Sequence, residues 1–173
     1  MKAFFRNNKK KILKLLAVIA IVMIAATIWY EVPVTEHITI SGEGKIDSPV
    51  RFALITDLHS CYYGKDQSQL IKMIDKEKPD AILLSHRPEK VKAYEKYDFD
   101  LILCGHAHGG QWRIPFTKRG VAAPNQGLLP AYVDGLYDLD NGAEMIVSRG
   151  LARERMPYPR FFNHPEVVII DIG

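Results

Sequence analysis

Three short apolar runs in this chain each stop at a side chain able to hold a metal ion, and no other feature limits the fold so tightly. Val50 to Thr56 runs into Asp57-Leu58-His59, Asp80 to Leu84 into Ser85-His86, and Leu101 to Cys104 into Gly105-His106-Ala107-His108-Gly109-Gly110. Short apolar runs bounded by turn residues read as buried strands. Ligand sites in open α/β sheets lie at the carboxyl ends of such strands. One His-x-His pair fits a hydrogen-bonded polar turn as well as it fits a metal site. Three such endings on one edge of a parallel sheet would gather Asp57, His59, His86, His106 and His108 into a single crevice, which predicts metal binding.

The connecting segments predict an α/β architecture with a sheet flanked by helices. Gln67 to Lys78 places Leu70, Ile71 and Ile74 on one face of a helix that Pro79 ends, so the flanking strands form a right-handed parallel βαβ unit. Pro88 opens a second helix expected to run to about Tyr97. Residues 111 to 130, rich in Gly and Pro, read as a loop at the mouth of the crevice. Arg113 is its candidate substrate-binding residue, with Lys118 and Arg119 nearby; the same three fit a solvated basic loop. Ala131 to Leu139, Ala143 to Ser148 and Glu166 to Ile172 read as three further strands, the first two joined by a turn at Asp140-Asn141-Gly142.

His37 alternates with isoleucines in a predicted edge strand, and His164 precedes a proline in a loop; both read as structural. Cys61 and Cys104 read as a pair of unlinked buried thiols, neither of them a nucleophile.

The amino-terminal segment has a different character. Six of the 23 basic residues lie within the first 14, and no acidic residue precedes Glu31, so 17 basic side chains face 20 acidic ones in the remainder. The basic balance thus belongs to a leader, which argues against a nucleic-acid polymer as partner. Leu15 to Tyr30 is uncharged, and Ile12 to Tyr30 as a helix would span about 28 Å, close to the hydrocarbon core of a bilayer. Trp29 and Tyr30 suit an aromatic belt, and the basic flank predicts a cytoplasmic amino terminus with an extracytoplasmic domain. Ala25, Ala26 and Thr27 make a poor cleavage site before bulky Trp29, which favours an uncleaved single-pass anchor in the cell membrane over a cleaved signal. The expected organisation is a leader at 1–14, an anchor at 15–30, a tether and edge strand at 31–49, and a domain at 50–173.

Asp57-x-His59, Ser85-His86 and Gly105-His106-x-His108-Gly109-Gly110-Gln111 together resemble the calcineurin-like metallophosphoesterases, most closely their membrane-associated bacterial branch. The resemblance covers roughly Val50 to Ile172. It implies a sheet sandwich, two divalent ions of the manganese, iron or zinc class, and hydrolysis of phosphoesters, lipid-linked ones among them, by metal-activated water. Carried over, Asp57, His59 and His108 would hold one ion, and His86 with His106 the other.

Two motifs of that family have no counterpart here: a Gly-Asp pair whose aspartate bridges the ions, and a Gly-Asn-His segment that binds the second ion and assists the leaving group. The break falls between Leu84 and Ser85, as an internal deletion would leave it. Two divalent ions about 3.5 Å apart repel by roughly 19 kcal/mol at an effective dielectric near 20. With one carboxylate among five ligands, the residues favour a single ion at Asp57, His59 and His108. Two functions follow as expectations: a membrane-anchored metal-dependent phosphoesterase, or a truncated, catalytically inactive membrane protein that retains partial metal binding.

Overall fold

A computed structural model describes residues 2–42, 44–59, 61–84, 86–96, 99–153 and 159–173. Helix α1 (Lys2–Tyr30) is followed by β1 (Val34–Ile40), β2 (Val50–Ile55), α2 (Ser68–Glu77), β3 (Ala81–Leu84), α3 (Val91–Tyr94) and β4 (Leu101–Cys104). The chain then forms β5 (Ala122–Ala123), β6 (Gly127–Leu128), β7 (Gly135–Asp138), β8 (Glu144–Val147) and β9 (Glu166–Ile172).

The strands do not share one parallel sheet. Four of them lie in the order β1-β9-β2-β3, and β4-β8-β7 make a second sheet. The expected βαβ unit is present, since β2 pairs parallel with β3 across α2, but β9 enters antiparallel beside β2 and parallel to β1. The third ligand-bearing strand, β4, therefore lies in the other sheet, parallel to β8. The expectation of one parallel sheet edge fails because period-two patterning tells which faces of a strand are buried and leaves its partner open.

Alternation along the strands explains the sandwich. Leu54, Val168 and Ile170 from the first sheet pack with Ile146 of β8, flanked by Leu101 and Leu103 of β4, which makes the layer between the sheets. The neighbouring positions Ala53, Ile55, Val167 and Ile169 point the other way and are covered by Leu70 and Ile74 of α2. On the outer face of the second sheet, Ile102, Cys104, Met145 and Val147 pack with Val91 of α3 and are flanked by Tyr94, Tyr132 and Tyr137. Cys61 and Cys104 are buried free thiols, as expected.

The turn between β7 and β8 is where the Asp-Asn-Gly signal placed it. Leu139 N–H donates to Ala143 O and Gly142 N–H to Leu139 O, with Gly142 at a φ of 87°. The helix expected after Pro88 is shorter than its pattern suggested, a 3-10 turn at Pro88–Lys90 passing into the four-residue α3; Tyr97 and Ser85 lie outside the described residues. His37 is exposed on β1, with Nε2 3.6 Å from Glu77.

Helix α1 joins the leader and the apolar run into one element. Lys9 to Tyr30 is long and apolar enough to cross a membrane, its most apolar 18 residues having mean hydropathy 2.5 and none of them buried. Its carboxyl end is packed. Tyr30 lies 4.8 Å from the His164 ring and 5.2 Å from that of Phe162, His164 Nδ1 is 3.0 Å from Val32 O, and Arg153 Nη1 donates to Glu31 O at 3.3 Å. His164 thus has the structural part expected of it.

Candidate metal centre

The five candidate ligands meet where the ends of β2, β3 and β4 come together across the two sheets. Asp57, His59 and His108 form one group whose ligand atoms all lie within 4.8 Å of one another, and Asp57, His86 and His106 form a second. The carboxylate is common to both. Asp57 Oδ1 lies 3.3 Å from His59 Nε2 and 3.3 Å from His86 Nδ1, while Oδ2 accepts the backbone N–H of His106 at 2.5 Å. The His86 and His106 rings are 4.2 Å apart, and those of His59 and His108 5.3 Å. Asp57, expected with His59 and His108, also stands beside the second pair, because its Oδ1 lies between His59 and His86.

Local backbone geometry explains how so many side chains reach one point. Asp57, His59, His106 and His108 all have positive φ, at 50°, 47°, 66° and 48°. Glycines make room around them. A Cβ at Gly105 would sit 2.4 Å from Asp57 Oδ2, and one at Gly150 2.8 Å from Asp57 Cβ. Gly110 has its own close contact, since a Cβ there would come within 2.3 Å of Gly120 Cα, at a φ of 77°. We expect Gly110→Ala to lower stability by about 2–3 kcal/mol through overpacking and left-handed strain. Thermal unfolding of the full-length protein in detergent is the measurement; an unchanged midpoint would contradict the close approach.

The electrostatics suit cation binding. The Asp57 side chain is fully buried. Burial pushes the His108 imidazole down to about 4, against the opposing pull of Asp57, and burial together with His86 lowers that of His106. Both rings are therefore neutral at physiological pH, the form that ligates metal. His108 Nδ1 is buried without a hydrogen-bond partner, an atom whose desolvation a bound cation would offset. The donor set of one carboxylate and neutral imidazoles fits a borderline transition-metal ion.

Residues that the sequence did not single out support these ligands. Asn125 Nδ2 lies 2.8 Å from His106 Nε2, and buried Asn163 donates from Nδ2 to His108 O and Gln111 O at 2.7 and 3.0 Å. Fully buried Arg160 clamps the turn beside Asp57 through Nε to Ala152 O and Nη2 to the carbonyls of Arg149 and Gly150. No local motif marks them: Asn163 acts across more than fifty residues and Asn125 across 19, while Arg160 bonds to carbonyls 8 to 11 residues before it in an irregular loop. The candidate Arg113 is buried, and its Nη1 pairs with Asp134 Oδ2 at 2.6 Å, so its guanidinium is engaged within the fold.

Among curated proteins, the chain is 40% identical over 92 residues to the uncharacterized metallophosphoesterase Cj0846 of Campylobacter jejuni, covering 53% of this chain and 22% of that protein. It is 34% identical over 92 residues to the uncharacterized metallophosphoesterase YkuE of Bacillus subtilis, covering 53% of this chain and 30% of that one. Over about half of its length the chain is similar to metallophosphoesterases. A further similar protein is the UDP-2,3-diacylglucosamine pyrophosphatase LpxG of Chlamydia muridarum, 32% identical over 93 residues, with 51% of this chain and 28% of that protein covered. The matches thus span less than a third of each of these relatives. No family model and no solved structure matches the chain.

Proposed function

We propose that this chain is a metal-dependent phosphoester hydrolase whose centre is built on Asp57. The observation that carries the reading is the buried carboxylate lying 3.3 Å from a histidine of each pair. Asp57, His59 and His108 are the principal ligands, because they include the buried ring with an unpartnered nitrogen; His86 and His106 face the same carboxylate from the other side. A divalent ion held there lowers the pKa of water and polarises a phosphoryl oxygen. The chain itself orients the ligands: Asn163 holds the backbone of His108, Asn125 approaches the ring of His106, and Arg160 fixes the turn at Gly150 against Asp57.

The names of the relatives support phosphoester chemistry, and LpxG is named for a pyrophosphatase acting on a diacylated sugar nucleotide. We extend the reading to a phosphodiester or phosphomonoester substrate, lipid-linked ones included, with α1 as a single-pass anchor, its amino terminus cytoplasmic, and a domain at 50–173 shortened at 84/85. A second reading is favoured by the missing Gly-Asp and Gly-Asn-His motifs: an inactive chain that binds an ion without turnover.

The full-length protein in detergent, loaded with manganese and given bis-p-nitrophenyl phosphate, separates the two. The hydrolase reading expects His108→Ala to slow turnover by about 100-fold or more. Equal rates in the two proteins, with metal bound to the unaltered one, would establish the inactive reading.

A further inference from the structure

The loop after the histidines builds a surface that the metal centre does not use. Trp112 forms a parallel bridge with Phe161, and Arg113 one with Gly120. Ile114 N–H donates to Arg119 O at 3.0 Å, Val121 N–H to Trp112 O at 2.7 Å, and Leu129 N–H to Val121 O at 2.9 Å. These bonds join residues 112–114, 119–123, 127–129 and the segment at Phe161 into one narrow ribbon, with β5 and β6 at its far side.

Its side chains are unusual for a water-facing surface. Trp112, Ile114, Leu128, Leu129 and Phe162 are exposed, and Phe116, at the tip of the hairpin, is wholly exposed. Exposed Lys118 and Arg119 stand beside that tip, and no acidic residue occurs from Gln111 to Val133. Clustered exposed apolar groups mark a contact surface. Aromatic and aliphatic tips rimmed by cations suit the boundary between lipid headgroups and acyl chains, where anionic lipids attract the basic residues.

The ribbon is continuous with the end of α1. Phe162 packs 5.2 Å from Tyr30, and the next ring in that cluster, His164, packs on Trp29 at 6.0 Å. The same segment leads directly to the centre, since Gly110 O accepts the Val121 N–H, and an apolar recess of 240 Å³ lies between Gly110, Gln111, Trp112, Val121 and Ala122. We propose that this ribbon seats in the surface of the bilayer that α1 enters and holds the metal centre at headgroup level. The proposal rests on the reading of α1 as a membrane anchor. A protruding hairpin tip with flanking cations favours lipid over a second copy of the chain, which would call for a flatter, self-complementary patch.

The test uses the full-length protein in nanodiscs of phosphatidylcholine and phosphatidylglycerol, with a nitroxide at Phe116→Cys and, separately, at Ile19→Cys. Both native thiols are buried, so the label goes to the introduced cysteine. Collision with oxygen, which partitions into lipid, is compared with collision with a water-soluble nickel chelate. The proposal expects oxygen to dominate several-fold at both positions. Nickel dominating at residue 116 while oxygen dominates at 19 would overturn the seating and leave the anchor standing. Nickel dominating at both would overturn the anchor as well. Spectral broadening at 116 that vanishes on dilution with unlabelled protein would assign the ribbon to a second copy and overturn the lipid assignment.

Discussion

Asp57→Asn is expected to abolish metal binding at both groups of ligands at once. The substitution keeps the shape of the side chain, and its carbonyl can still accept the His106 N–H, but it removes the one negative charge that faces His59 and His86 together. Neutral imidazoles alone hold a divalent ion weakly, so affinity for manganese should fall by more than about 100-fold. His86→Ala is the informative comparison. It removes a ligand from the second group only, leaving Asp57, His59 and His108 able to retain one ion. Metal content per chain after dialysis separates the two variants. If the asparagine variant keeps its manganese, Asp57 is not the hub of the site.

The second large effect lies behind the centre, in a chain of buried charges. Glu166 is fully buried, accepts the Arg149 backbone N–H at 2.8 Å and its Nε at 2.6 Å, and is also paired with Nη2. Asp134 stands on the other side of Arg149, with Oδ1 3.5 Å from Nε, and is held in turn by Arg113. Glu166→Ala should cost about 3–5 kcal/mol, because a cation is left in a dry site without its main partner. For a chain of this size that lowers the thermal midpoint by roughly 6–20 °C. Replacing both members of the pair, Arg149→Met with Glu166→Leu, should cost less than Glu166→Ala alone, since the stranded charge is gone and Asp134 keeps Arg113. A double variant less stable than the single one would contradict this account.

The parts of the fold that were legible in the sequence are those encoded over short spans. Leu70, Ile71 and Ile74 declare α2, Asp140-Asn141-Gly142 declares a hairpin turn, and each apolar run that ends in Asp or His is a strand with its ligands just beyond it. Which strands pair is decided elsewhere. The insertion of β9 between β1 and β2 joins residues more than a hundred positions apart, and the pairing of β4 with β8 puts the third ligand-bearing strand in the other sheet of the sandwich that the family resemblance implied. The site divides in the same way. Its ligands stand in motifs, whereas Asn163 meets His108 across 55 residues, Arg160 acts through the carbonyl of Gly150, and the shared position of Asp57 follows from a meeting of strand ends in two sheets.

The left-handed backbone at Asp57, His59, His106 and His108 sets two selective pressures against each other. A side chain in that conformation costs about 1–2 kcal/mol relative to the right-handed one, and glycine would relieve most of it. Each ligand is therefore also a position where the folded state is easily improved by discarding the function. A lineage or library selected only for expression and heat resistance should drift to glycine first at solvent-facing His59, whereas selection for metal would keep the strained histidine in place.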